Sequence, residues 1–166
     1  MEKNLQSSEA VSKLHDIIKA TRTCMLITSG KSGKNATRPM SVVDVDADGN
    51  IWFFAGSHSN KVKDIEEDQQ VQLVFSHPGK EAYMDIHGRA SVEKDAQYLH
   101  EKWNPLVKAW FPEGINDPAL CLIRVKPDDA YYWDIEGSKN GSMVRIVLSA
   151  VTGKKSEEGV HGQMHF

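Results

Sequence analysis

From Thr23 onward the chain runs through short apolar, strand-like stretches broken by turn residues, and it shows no regular strand–helix–strand alternation. That disfavours a parallel doubly wound sheet and leaves an antiparallel one. Residues 23–29 read as a strand, and Gly30 to Gly33 as a turn. Residues 35–46 and 51–55 read as a hairpin, closed by a loop whose Asp48-Gly49 pair suits positive φ. A second hairpin joins residues 70–76 to 81–93 through His77-Pro78-Gly79-Lys80. Residues 120–125, 130–135 and 143–150 complete the strands. Helices are expected over residues 8–20, where Val11, Leu14, Ile17 and Ile18 fall at helical spacing, and over 95–103 and 105–110, separated by Asn104-Pro105. The pattern is that of an α+β domain, an antiparallel barrel with short flanking helices.

The richest stretch lies between residues 35 and 61. Asn35-Ala36-Thr37-Arg38-Pro39-Met40 enters one strand, Ile51-Trp52-Phe53-Phe54 forms the next, and Ser57-His58-Ser59-Asn60-Lys61 follows it. Val62 and Ile65 suit one face of a short helix, which makes Ser59 a candidate N-cap. The first turn of such a helix carries unpaired N–H groups and a partial positive charge, so with Lys61 it would attract a phosphate, and Arg38 could add a bidentate contact. Taken alone, these residues fit a capped helix and two solvated cations better, because caps are far commoner than phosphate sites.

Composition narrows the function classes. With 166 residues and 40% hydrophobic content, the chain can bury a sizeable core without metals or disulfides. A formal net charge of −3 gives no footprint for nucleic acid. Cys24 and Cys121 lie in apolar runs without metal or redox spacing, as buried thiols of a reducing cytoplasm would. The polar start, Met1-Glu2-Lys3-Asn4, does not resemble a signal peptide, and no run of about 18 apolar residues is present, so a cytoplasmic protein with no membrane partner is expected. Of the seven histidines only His161 and His165 stand four apart, and they fall in the expected tail rather than on a helix, so no metal is expected. Residues 153–166, polar and glycine-containing, read as a mobile C-terminal tail behind a single domain over residues 1–152.

Arg38-Pro39-Met40, the aromatic strand, Ser59-Asn60-Lys61, Gly88-Arg89-Ala90, Trp110-Phe111-Pro112 and Tyr131-Tyr132-Trp133-Asp134 follow one another in an order that resembles the general stress protein 26 family. Those proteins are small flavoproteins of the pyridoxamine 5'-phosphate oxidase-like group. The resemblance implies an FMN-binding split β-barrel and a homodimer with flavin at the subunit interface. It implies Arg38, Pro39, Met40 and Ser41 along the isoalloxazine, and Phe53 and Phe54 where backbone groups meet the ring. Asn60 and Lys61 stand at a phosphate-binding pair, with Asn60 in place of a second basic residue, and Ser59 joins them. Trp133 falls at a flavin-proximal tryptophan. Trp110 and Phe111 suit either a place near the partner's flavin or simple packing on the barrel.

The departures bear on chemistry. The oxidases follow their tryptophan with an Arg-x-His substrate clamp, whereas Trp133 here precedes Asp134-Ile135-Glu136. A flavin-contacting glutamine also looks replaced near Tyr83. Vitamin B6 phosphate oxidation is therefore not expected. No catalytic acid or base is identifiable, as suits a protein whose cofactor carries the chemistry. Three readings stay open: an FMN-dependent oxidoreductase using transient NAD(P)H, a non-catalytic flavin buffer, and a split barrel adapted to haem or a deazaflavin.

Overall fold

The computed structural model describes residues 5–6, 8–30, 33–134 and 160–166. Among them run nine strands and three α-helices: β1 (Leu5–Gln6), α1 (Ser8–Thr21), β2 (Thr23–Ser29), β3 (Asn35–Ser41), β4 (Asp44–Val45), β5 (Ile51–Gly56), α2 (Asn60–Glu67), β6 (Gln70–His77), β7 (Ala82–Glu93), α3 (Ala96–Lys102), β8 (Leu120–Asp134) and β9 (Val160–His165). Antiparallel ladders join β3 to β2, β2 to β6, β6 to β7, β7 to β8 and β8 to β5, and β5 then meets β4. Because β3 and β4 are consecutive, the ring closes through the chain itself into a barrel split beside Val42-Val43.

Alternation builds the inside of this barrel. Cys24, Leu26 and Thr28 of β2 point inward, as do Val71, Leu73 and Phe75 of β6 and Met84, Ile86 and Ala90 of β7. α1 adds Ala10, Leu14, Ile17 and Ile18. Val11, expected on the same stripe, is only half-buried. α3 begins where the Asp95 carboxylate accepts the Gln97 N–H at 2.7 Å. After it come 3₁₀ turns at Pro105–Ala109 and Gly114–Asn116 in place of the expected second helix.

Three differences from the sequence reading position the site. Residues 35–46 are not one strand paired to 51–55: β3 pairs with β2, and only Asp44 and Val45 pair with Trp52 and Ile51. The Val42 N–H donates to Arg22 O and the Val43 N–H to Trp52 O, so the chain changes partners within one residue. Second, β8 runs unbroken from Leu120 to Asp134. The Pro127-Asp128-Asp129 stretch between the two expected strands is absorbed by a register shift at His87/Gly88. Third, Val160–His165 forms β9 against β8, with Met164 buried, where a tail is expected. The strand expected over 143–150 and residues 153–159 lie outside the described residues.

Gly88 is required at that bulge. A Cβ there would stand 2.5 Å from the Lys126 carbonyl oxygen, a backbone atom that cannot swing away. Gly88→Ala should therefore destabilise the fold by about 1–3 kcal/mol, as overpacking typically does. Thermal denaturation checks this, and an unchanged midpoint would show that the ladder yields freely.

Candidate functional site

The split has two open edges. Beyond Trp52, β5 has β8 on one side and no ladder partner on the other among the described residues. Among the described residues β3 likewise pairs only with β2. Arg38-Pro39-Met40-Ser41 and Phe53-Phe54 therefore border one gap, whose backbone donors and acceptors are not consumed by sheet pairing. Pro39 fits an edge strand because it has no N–H to contribute. Met40 is buried, while Pro39 and Ser41 are exposed.

β5 leads directly to the start of α2. Ser59 occupies the N-cap position with φ −69° and ψ 153°, and its carbonyl accepts the Val62 and Lys63 N–H groups. The N–H groups of Asn60 and Lys61 at the first turn lie beyond the reach of any intrahelical acceptor. The expected side-chain cap is absent: Ser59 Oγ is buried and has no hydrogen-bond partner. A buried hydroxyl without a partner is costly. An acceptor arriving at the helix start would satisfy it.

Lys61 is half-buried, and burial, followed by the nearby charge of Arg38, holds its pKa below the ordinary lysine value. The two cations thus sense each other across the site. Arg38 is anchored: its Nη1 donates to Thr28 Oγ1 at 2.7 Å and its Nη2 to Asp64 Oδ2 at 3.3 Å, while Thr28 Oγ1 donates to the same carboxylate oxygen at 2.7 Å. Thr28, 1% exposed, is the buried polar residue that joins β2 to this network. The sequence reading missed both Thr28 and Asp64. The available signals were a threonine on an inward-facing strand position and a carboxylate one helical turn after Lys61.

The side chains of the other expected site residues differ widely in exposure. Phe53 is 0% exposed and packs in the barrel core. Phe54 is half-buried, edge-on to Trp103 at 6.0 Å. Asn60 and His58 are exposed. Trp110 is 75% exposed beside the half-buried Phe111, just past the first 3₁₀ turn. Trp133 is 45% exposed, opposite Tyr83 and 4.6 Å from the Tyr131 ring. Burial pushes the thiols of Cys24 and Cys121 up to about 12 and about 11, so both stay protonated at neutral pH. Among the described residues no group of His, Cys, Asp and Glu is placed to hold a metal, and no helix is long and apolar enough to cross a membrane.

The family model described as "Pyridoxamine 5'-phosphate oxidase like" matches residues 9–157. The chain belongs to the pyridoxamine 5'-phosphate oxidase-like family. A putative general stress protein 26 from Jannaschia sp. CCS1 superposes with a TM-score of 0.79 at 27% identity, covering 96% of this chain and 99% of its own. A general stress FMN/FAD binding protein of Xanthomonas citri is 30% identical, with a TM-score of 0.68, and the match covers 82% of this chain and 96% of that one. Protein bli-3 of Neurospora crassa is 24% identical over 156 residues, 88% of this chain and 75% of its own length. The split-barrel fold and the kinship with general stress proteins agree with the order of motifs in the sequence.

Proposed function

We propose that this member of the family is an FMN-binding flavoprotein of the general stress type, an oxidoreductase of unidentified substrate. The observation that carries the reading is the partnerless Ser59 hydroxyl beside Lys61, where β5 gives way to α2. A phosphate there would accept from Ser59 Oγ and from the first-turn N–H groups of α2, and it would separate the mutually repelling Lys61 and Arg38. The open edges of β3 and β5 suit the rim of a flat ring, and Pro39, Met40 and Ser41 would lie along it. The Xanthomonas citri protein's FMN/FAD binding supports the assignment, and the phosphate-sized anchor favours FMN within it.

Bound FMN would supply reversible acceptance of an electron pair, which no side chain at the split offers. The protein's part is to hold, orient and shield. Asp64, the carboxylate beside Arg38, is committed to Arg38 and Thr28 and does not stand free as an acid or base. That favours, as a second reading, a flavin-holding protein without turnover. Anaerobic reduction of bound FMN by NADH or NADPH, arriving transiently over the ring, separates the two. Pyridoxamine phosphate is not the substrate on this reading, because Asp134 and Glu136 stand where the family's oxidases carry their cationic clamp.

A second copy of the chain completes the site. Met25, Tyr83 and Trp133 are exposed on outward-facing strand positions, and Leu106 and Trp110 project near the first 3₁₀ turn. Exposed aromatic and aliphatic groups of this kind mark association surfaces. A ligand touching both subunits favours the dimer by mass action. Sedimentation of apo and FMN-loaded protein across dilution should show a dimer that FMN strengthens. A monomer retaining full flavin affinity would contradict the shared site. Cytoplasmic residence is part of the same proposal, in keeping with two protonated, buried thiols.

A further inference from the structure

A second cleft, about 620 Å³ in volume, opens on the outer face of the β7–β8 ladder, lined by residues that the flavin reading does not use. Its lining includes Gln69, Arg89, Ser91, Arg124 and Lys126, with Asn50 and Asp48 contributed by the β4–β5 turn. Three cations thus meet one carboxylate.

Their arrangement follows from the ladder. Past the bulge, Arg89 lies directly opposite Lys126, and Ser91 opposite Arg124. Like charges facing one another across antiparallel strands are destabilising. Two carboxylates outside the lining steady the arginines without filling the cleft. Arg89 Nη2 donates to Asp128 Oδ1 at 3.1 Å, and Arg124 Nη2 to Glu93 Oε1 at 3.0 Å. Glu93 Oε1 also accepts from Ser91 Oγ at 2.9 Å. The Arg124 guanidinium is further placed 5.7 Å from the centre of the buried Trp52 ring. A guanidinium carries five N–H donors, so one carboxylate contact fixes its plane and leaves others available.

We infer that this cleft binds a small phosphorylated anion, with Arg89, Arg124 and Lys126 as its clamp and Gln69 as a polar wall. Guanidinium groups fixed in orientation match phosphate oxygens in pairs, and a phosphate between Arg89 and Lys126 removes their repulsion. The volume falls in the range of small-molecule sites and admits a ligand of nucleotide size. None of its residues belongs to the Arg38–Ser59–Lys61 group, so the site stands whether or not FMN is the cofactor.

Inorganic pyrophosphate titrated calorimetrically into the full chain, with and without excess FMN, tests this. One site per chain is expected with FMN in excess, and a second without it, where the empty Lys61 anchor also accepts pyrophosphate. Lys126→Ala and Arg89→Gln, which alter exposed side chains, should each weaken it about tenfold or more, and Arg124→Gln likewise. Lys61→Ala should leave binding with FMN present unchanged. Absence of binding at millimolar pyrophosphate would overturn the inference. So would binding in excess FMN that survives both Lys126→Ala and Arg89→Gln, or that disappears in Lys61→Ala.

Discussion

Replacing Lys61 by alanine is expected to weaken FMN binding about ten- to a hundredfold, the loss of one charge-assisted contact worth about 1.5–3 kcal/mol, and to leave riboflavin binding unchanged. The difference between the two ligands is the phosphate alone. Lys61 is the cleaner choice over Arg38, because Arg38→Ala would also strip Thr28 and Asp64 of a partner. A pH dependence follows from the same geometry. Burial and Arg38 lower the pKa of Lys61, so its proton is lost at lower pH than from an ordinary lysine. The protonated form is the one that holds phosphate. FMN affinity should therefore fall as pH rises through that lowered value, while riboflavin affinity stays flat and Lys61→Ala loses this limb of the FMN profile. Equal weakening of both ligands by Lys61→Ala would remove Lys61 from the phosphate site.

Phe53→Ala should cost about 3–5 kcal/mol of stability, the usual consequence of emptying a buried aromatic site. Phe53 is fully enclosed and in register with Ile123 at the centre of the β5–β8 ladder. Its side chain therefore serves the core, and only its backbone edge faces the split. Phe53→Leu separates these roles: it keeps the backbone and most of the packing, and should retain FMN affinity at a smaller loss of stability. Denaturant titration reads the first quantity and flavin fluorescence the second. A folded Phe53→Leu protein that fails to bind FMN would place the phenyl ring itself against the flavin.

The parts of this fold legible in the sequence are those set by local periodicity. The period-2 pattern of Thr23–Ser29, the hairpin around His77 to Lys80 and the buried stripe of α1 each follow from residues close together in the chain. Partner choice is not local. Nothing in Ser41-Val42-Val43-Asp44 announces that the chain leaves β2 for β5, because a strand's side-chain pattern specifies its faces and not its neighbour. Pro127-Asp128-Asp129 reads as a break, but β8 passes through it with Asp128 as an extra, unpaired residue, and Gly88 opposite leaves room for the backbone. β9 was obscured by its glycine and histidines, although Met164 is buried.

The candidate site divides in the same way. Arg38, Ser59 and Lys61 stand out by type and order, and the structure gathers them at one end of the split. Thr28 and Asp64 are 36 residues apart, and their shared role appears only when β2 and α2 pack together. Ser59 shows the converse: its position at the helix start was readable, but the empty valence of its hydroxyl was not. That valence, more than the helix start itself, points to a ligand.

The most direct measurement is the absorbance of the purified protein, followed by chromatography of whatever it releases on denaturation. The account predicts a flavin spectrum and the release of FMN, in a ratio approaching one per chain. Release of riboflavin or FAD instead of FMN, or a colourless protein that binds no added FMN, would contradict it.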